Sequence, residues 1–157
     1  MDLSTLTPEH RLRALDLELP DAPPGVGAYV PWTRTGNLIL TSYQLPWKRG
    51  ELAFTGRLGE TVSVEQGIEA ARICALNGLA QLREAAGRDL AHVRVLRLDG
   101  HVGCSADFMD IPRVLNGASE LLKQVLGSAH ARTALGHHVM PLSVPVMLGF
   151  VAEVVPA

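Results

Sequence analysis

Cysteine is scarce in this chain of 157 residues, with only Cys74 and Cys104 present. Two cysteines exclude a disulfide framework and fit an intracellular protein with free thiols. No unbroken apolar run reaches the roughly 18 residues a membrane-spanning helix needs. The first residues also lack the basic-then-apolar order of a secretion signal. The expectation is a soluble, cytoplasmic protein with no membrane partner. Positive charge is not in surplus: 14 Lys and Arg face 16 Asp and Glu, for a net charge of -2. Only seven aromatic residues are available for base stacking. Both facts argue against a nucleic-acid partner, whose phosphates reward a basic surface.

Several familiar signatures are absent as well. Gly25-Val26-Gly27 lacks the third glycine of a dinucleotide fingerprint and precedes a strand instead of following one. There is no phosphate-binding Gly-Lys-Ser/Thr and no Gly-x-Ser-x-Gly nucleophile elbow. Gly56-Arg57-Leu58-Gly59 reads as a turn. A zinc site would need His101, Cys104, His137 and His138 to converge. Strand alternation sends His101 and Cys104 to opposite faces, and likewise His137 and His138, so neither metal nor cofactor is expected.

What is present is apolar material, 47% of residues, enough for one core. The length fits one domain. The chain divides into an N-terminal helix with a Pro-rich connector over 1–24, and a single domain over 25–157. Thr7 and Pro8 open the first helix, and Pro20 closes the segment. Strands are expected over 28–34 and 37–44, joined at Thr35-Gly36, with a second turn over 48–51. Ser63 and Gln66 form a capping box for a helix over 64–86, stopped by Gly87. A strand follows over 93–102, and a helix begins near Asp110 and ends at Gly127. Two further strands, 131–140 and 144–155, are broken by Pro141-Leu142-Ser143.

That order, ββ(β)αβαββ, gives an α+β fold in which two long helices cover one face of a mixed sheet. The other face would then expose more apolar surface than monomers carry, which implies oligomerisation through it. One residue stands out chemically. Arg132 lies in a strand of small and apolar residues, where an unpaired guanidinium is costly. It either pairs with a carboxylate such as Glu153, projects into water, or forks onto the carboxylate of a ligand.

Taken together, Tyr29-Val30, the run Gly36-Asn37-Leu38-Ile39-Leu40-Thr41-Ser42-Tyr43-Gln44-Leu45-Pro46, the turn Thr55-Gly56-Arg57-Leu58-Gly59, Asn77, Val114-Leu115-Asn116-Gly117 and Ala131-Arg132-Thr133-Ala134 resemble the Rid family. These are the YjgF-type reactive intermediate deaminases, also known as L-PSP proteins. The resemblance spans nearly all of the chain after its first helix, and the N-terminal extension suggests a longer subgroup.

The resemblance implies a chorismate-mutase-like fold and a homotrimer with ligand clefts between subunits. It implies hydrolysis of 2-imino or enamine acids to 2-oxo acids and ammonia, with no cofactor. Arg132 becomes the anchor for the substrate carboxylate. Tyr29, Ser42, Tyr43 and Asn116 line the cleft, and backbone groups of the Pro141–Ser143 turn are placed to hold a water. An imine needs only that water, a proton and charge neutralisation.

The departures bear on catalysis. Where active deaminases carry glutamate, fifteen positions beyond the arginine, this chain has Met147, whose thioether cannot transfer a proton. Tyr43 replaces a small residue, and Ala134 a cysteine. Asn116 stands one residue closer to Arg132 than in the family. His138 shares strand parity with Arg132 and is the candidate substitute base. The alternatives are a non-catalytic carboxylate-binding paralogue, with Met147 and Tyr43 shaping an apolar pocket, and an endoribonuclease or translation inhibitor.

Overall fold

A computed structural model describes residues 2–87 and 89–156; Met1, Arg88 and Ala157 lie outside it. The chain runs α1 (Pro8–Ala14), β1 (Trp32–Thr35), β2 (Leu38–Thr41), β3 (Trp47–Lys48), β4 (Glu51–Leu52), α2 (Val64–Ala86), β5 (Val93–Gly103), α3 (Ile111–Leu126), β6 (Ala131–His137) and β7 (Val146–Val154). Five strands form one sheet in the order β1-β2-β7-β5-β6, and β3 and β4 form a separate hairpin. Only β5 and β6 are parallel; α3 makes the crossover between them. This is an α+β, chorismate-mutase-like architecture.

Helix α2 starts where Ser63 accepts the Gln66 amide hydrogen while the Gln66 side chain accepts that of Ser63. It stops at Gly87, whose φ of +95° is the left-handed conformation that ends many helices. Alternation along β7 sends Val146, Leu148, Phe150 and Ala152 toward the helices, all buried. From β5, Val95, Leu98 and Val102 join them, and Leu79, Leu82, Leu115, Leu121 and Leu122 close the layer from α2 and α3.

The far face of the sheet has no such cover. It carries Leu40, Leu135 and Tyr43, respectively 42%, 51% and 42% exposed. Both helices therefore do lie on one side, as the element order requires. No helix among the described residues is long and apolar enough to cross a membrane.

Several boundaries differ from expectation. The first strand begins at Trp32, four residues late, because the preceding chain folds on itself: Tyr29 N–H donates to the Gly27 carbonyl, and its hydroxyl accepts from Val26 N–H. The β1–β2 turn is Gly36-Asn37, since Thr35 pairs directly with Leu38, and Gly36 takes φ +55°. The first helix ends at Ala14, well before Pro20. Strand β6 stops at His137 instead of Met140, and β7 starts only at Val146. Between them the chain makes a tight turn in which Leu142 and Ser143 both take positive φ.

The N-terminal segment is tied to the body. Arg11 Nη1 donates to the Val125 carbonyl at the end of α3, and Glu9 accepts the Leu90 amide hydrogen at 2.7 Å.

Candidate functional site

The residues singled out from sequence fall into three groups. The first gathers on β6 and α3. Arg132 shares its strand face with Ala134 and Gly136, the face over which α3 passes. Gly136 allows that approach: a Cβ there would lie 2.6 Å from Ile111 Cδ1. Asn116 and Ser119, three apart on α3, present one face to the strand. Arg132 Nη1 donates to Asn116 Oδ1 at 2.9 Å and to Ser119 Oγ at 3.2 Å.

No carboxylate pairs with Arg132 among the described residues; Glu153, the internal candidate, is held by Arg94 at 3.0 Å. Nε and Nη2 of Arg132 also have no partner there, so one nitrogen is braced while a donor edge stays free. His130 extends the network, its Nε2 3.0 Å from Ser119 Oγ. Burial, and then the charge of Arg132, hold the His130 imidazole below its ordinary pKa.

The second group sits at the opposite edge of the sheet. Ser42 follows β2, its hydroxyl donating to the Val30 carbonyl at 2.7 Å and its N–H to the Pro31 carbonyl at 2.8 Å. Tyr29, Ser42 and Tyr43 line one shallow hollow. Two strands, β7 and β5, separate β2 from β6, so Tyr29 and Ser42 do not meet Arg132 within a single chain.

The third group occupies the uncovered face. Tyr43 lies over Gly149, where a Cβ would come within 2.8 Å of its ring. Its ring meets that of His101 edge-on, with centroids 4.8 Å apart. Met147 is the direct cross-strand partner of His101. On the other side, His101 Nδ1 and His137 Nε2 are 2.7 Å apart. Burial lowers the pKa of His101, the charge of His137 adds to this, and Asp99 opposes it. Burial and the Asp99 charge raise that of Tyr43, against Arg97.

Sequence reasoning missed this histidine pair. Parity shows which face each residue takes, but their meeting depends on the β5–β6 register, in which His137 pairs with Gly103, two places beyond His101.

Two expectations of geometry change. The strand ends at His137, so parity does not extend to His138, which is exposed beyond it; its carbonyl accepts from Arg57 Nε at 2.6 Å. In the Pro141–Ser143 turn, Ser143 and Val144 N–H donate to the Met140 and Pro141 carbonyls and the Ser143 carbonyl accepts from Gly56, which leaves the backbone of the exposed Leu142 as the part of the turn open to a water. As for metals, no three His, Cys, Asp or Glu residues cluster among the described residues. Cys104 is buried in the helix-side core, away from His101.

This sheet, with both long helices on one side and Arg132 on its last parallel strand, defines the chorismate-mutase-like class. The chain matches the model of the YjgF/chorismate-mutase-like endoribonuclease family over residues 9–154, and it belongs to that family. It is 36% identical over 146 residues to protein TCP17 of Trypanosoma cruzi, covering 90% of this chain and 91% of that one. Among solved structures, Atu1372 of Agrobacterium tumefaciens, of unknown function, is 39% identical with a TM-score of 0.87, covering 94% of this chain and 92% of that one. A Shewanella oneidensis structure with the endoribonuclease label is 36% identical with a TM-score of 0.90, covering 94% and 99%. The fold is shared more widely, as with E. coli TdcF, crystallised with bound serine: TM-score 0.62, 19% identity, coverage 84% and 92%.

Proposed function

We infer that the chain binds a small 2-imino or enamine acid through Arg132 and hydrolyses it to the 2-oxo acid and ammonia. The observation that carries this is the state of the guanidinium. It is oriented by Asn116 and Ser119, has no acid partner among the described residues, and keeps an edge of two donors without a partner there, the geometry a carboxylate accepts bidentately. Serine bound to TdcF supports a small carboxylate ligand.

The cleft is completed by another copy of the chain, as a trimer. Tyr29 and Ser42 lie on the far edge of the sheet from Arg132, and the exposed Leu40, Tyr43 and Leu135 supply an apolar face for that contact. Two buried free thiols fit a reducing, cytoplasmic setting.

In the reaction, water adds to C2 of the imine and its proton passes to nitrogen. The resulting carbinolamine expels ammonia as the carbonyl forms. Arg132 neutralises and aligns the carboxylate, which lowers the barrier by positioning. Met147 supplies no base.

That substitution favours a second reading, a carboxylate-binding paralogue without deaminase activity. Both are tested with imino acid generated in situ and with 2-oxobutanoate. The expected result is faster release of keto acid and ammonia than without protein, lost in Arg132→Ala. Binding of 2-oxobutanoate with no acceleration selects the paralogue, and absence of both removes the Arg132 site. The endoribonuclease reading gains nothing from a net charge of -2 and is closed by failure to bind RNA at low salt.

A further inference from the structure

A sizeable hollow lies away from Arg132. Its volume is about 560 Å³, within the range of small-molecule sites. One wall is the Pro-rich connector over 20–26; the other is the β3–β4 hairpin with Asn77 of α2. The connector is fastened there by Gln81, whose Nε2 donates to the Pro23 carbonyl at 2.6 Å. Pro20, Pro23, Val26 and Trp47 make the lining mainly apolar.

The polar side chains in this lining are few. Asn77 is 1% exposed. Its Nδ2 donates to the carbonyls of Leu45 and Trp47, both at 3.0 Å. Two carbonyl acceptors fix the amide's orientation, so the remaining atom is Oδ1, which has no donor among the described residues. That oxygen is not sealed from solvent, so it is open to a donor entering the hollow. At the rim stand Arg49 and Asp21, both exposed and neither in an ion pair among the described residues. The hairpin turn sets the backbone of Arg49, since Arg49 and Gly50 both take positive φ, +55° and +80°, as a two-residue turn of this hand requires.

We propose that this hollow binds a free α-amino acid with an apolar side chain. The side chain packs on Trp47 and the prolines. The carboxylate meets Arg49, and the ammonium is shared between Asp21 and the unpaired Oδ1 of Asn77. One cation, one anion and one open acceptor around an apolar chamber match a zwitterion with an apolar tail better than an ion of either sign. The site does not depend on Arg132, which lies across the sheet.

The test is calorimetric titration of the full chain with L-phenylalanine and L-leucine. The controls are 3-phenylpropanoate, which lacks the ammonium, and 2-phenylethylamine, which lacks the carboxylate. One amino acid should bind per chain, and each singly charged analogue should bind at least about tenfold more weakly. Asp21→Asn and Arg49→Asn should each weaken binding by a similar factor; asparagine tolerates the positive φ at position 49. Arg132→Ala should leave it unchanged. The proposal is overturned if no apolar amino acid saturates the protein at millimolar concentration, if either analogue binds as well, or if binding disappears in Arg132→Ala while persisting in Arg49→Asn. That last pattern would assign the ligand to the Arg132 site and leave the function inferred there standing.

Discussion

His101 and His137, on neighbouring parallel strands, share a hydrogen bond of 2.7 Å between Nδ1 of one and Nε2 of the other, with ring centroids 4.9 Å apart. One nitrogen must donate and the other accept, so a second proton sets two donors against each other. Asp99, Arg97 and Tyr43 are the other charged or titratable groups around the pair. Asp99 is already engaged by Arg97 at 2.9 Å and by the Thr133 hydroxyl.

Stability should therefore depend on pH. An unfolded histidine titrates near about 6.5, and the folded His101 and His130 both titrate lower. Between those values the unfolded chain binds more protons. Stability is full above the unfolded pKa and is lost as pH falls through the folded one. The urea midpoint should drop between about pH 7.5 and 5.5, and His101→Gln should flatten the drop. An equally steep profile in that variant refutes the assignment.

Gly78→Ala should destabilise the fold by about 1–3 kcal/mol, although alanine is the better helix former. A methyl on α2 at this point overlaps the ring of Phe150, which is 1% exposed and has nowhere to move. Urea unfolding measures the change, and an unaltered midpoint would mean that the helix stands off the sheet.

Asn116→Ala should weaken 2-oxobutanoate binding by about 1 kcal/mol, several-fold, while leaving the melting temperature in place. Asn116 is exposed, and its service is to hold the guanidinium of Arg132. Equal losses of stability and affinity would make it a structural residue instead.

Met147→Glu should raise imine hydrolysis at least about tenfold, at the low end of what a positioned acid or base contributes. The new carboxylate would stand directly across from His101 and raise its proton affinity toward that of the unfolded chain, shrinking the acid-side loss of stability. Without a rate gain, position 147 is not beside the reacting carbon.

The parts legible in the sequence are those whose cause is local. Helix α2 was bounded to the residue by its capping box and Gly87, and the order of strands and helices followed from periodicity. What failed depended on partners distant in sequence or on unusual backbone. Nothing in Met140-Pro141-Leu142-Ser143 announces two non-glycine residues at positive φ, so composition alone extends both flanking strands too far. Residues 28–31 have strand composition, but the local fold-back between Gly27 and Tyr29 takes them out of the ladder. At the candidate site, Arg132 and Asn116 were each legible through the family resemblance, but the hydrogen bond between them was not. The bracing Ser119 was not, though its place three residues along α3 was the available signal. Residues 20–24 read as a stiff connector, and their role as one wall of a chamber appears only once the β3–β4 hairpin is placed.

The placement of Tyr29 and Arg132 on opposite rims of the sheet has a genetic corollary. If every cleft borrows one rim from each of two chains, a chain crippled at Tyr29 and a chain crippled at Arg132 are inert alone but rescue one another when co-expressed. Some clefts in the mixed particles then inherit both intact rims. Restored turnover in such hybrids, from two inactive parents, is a signature that no self-sufficient monomer could produce.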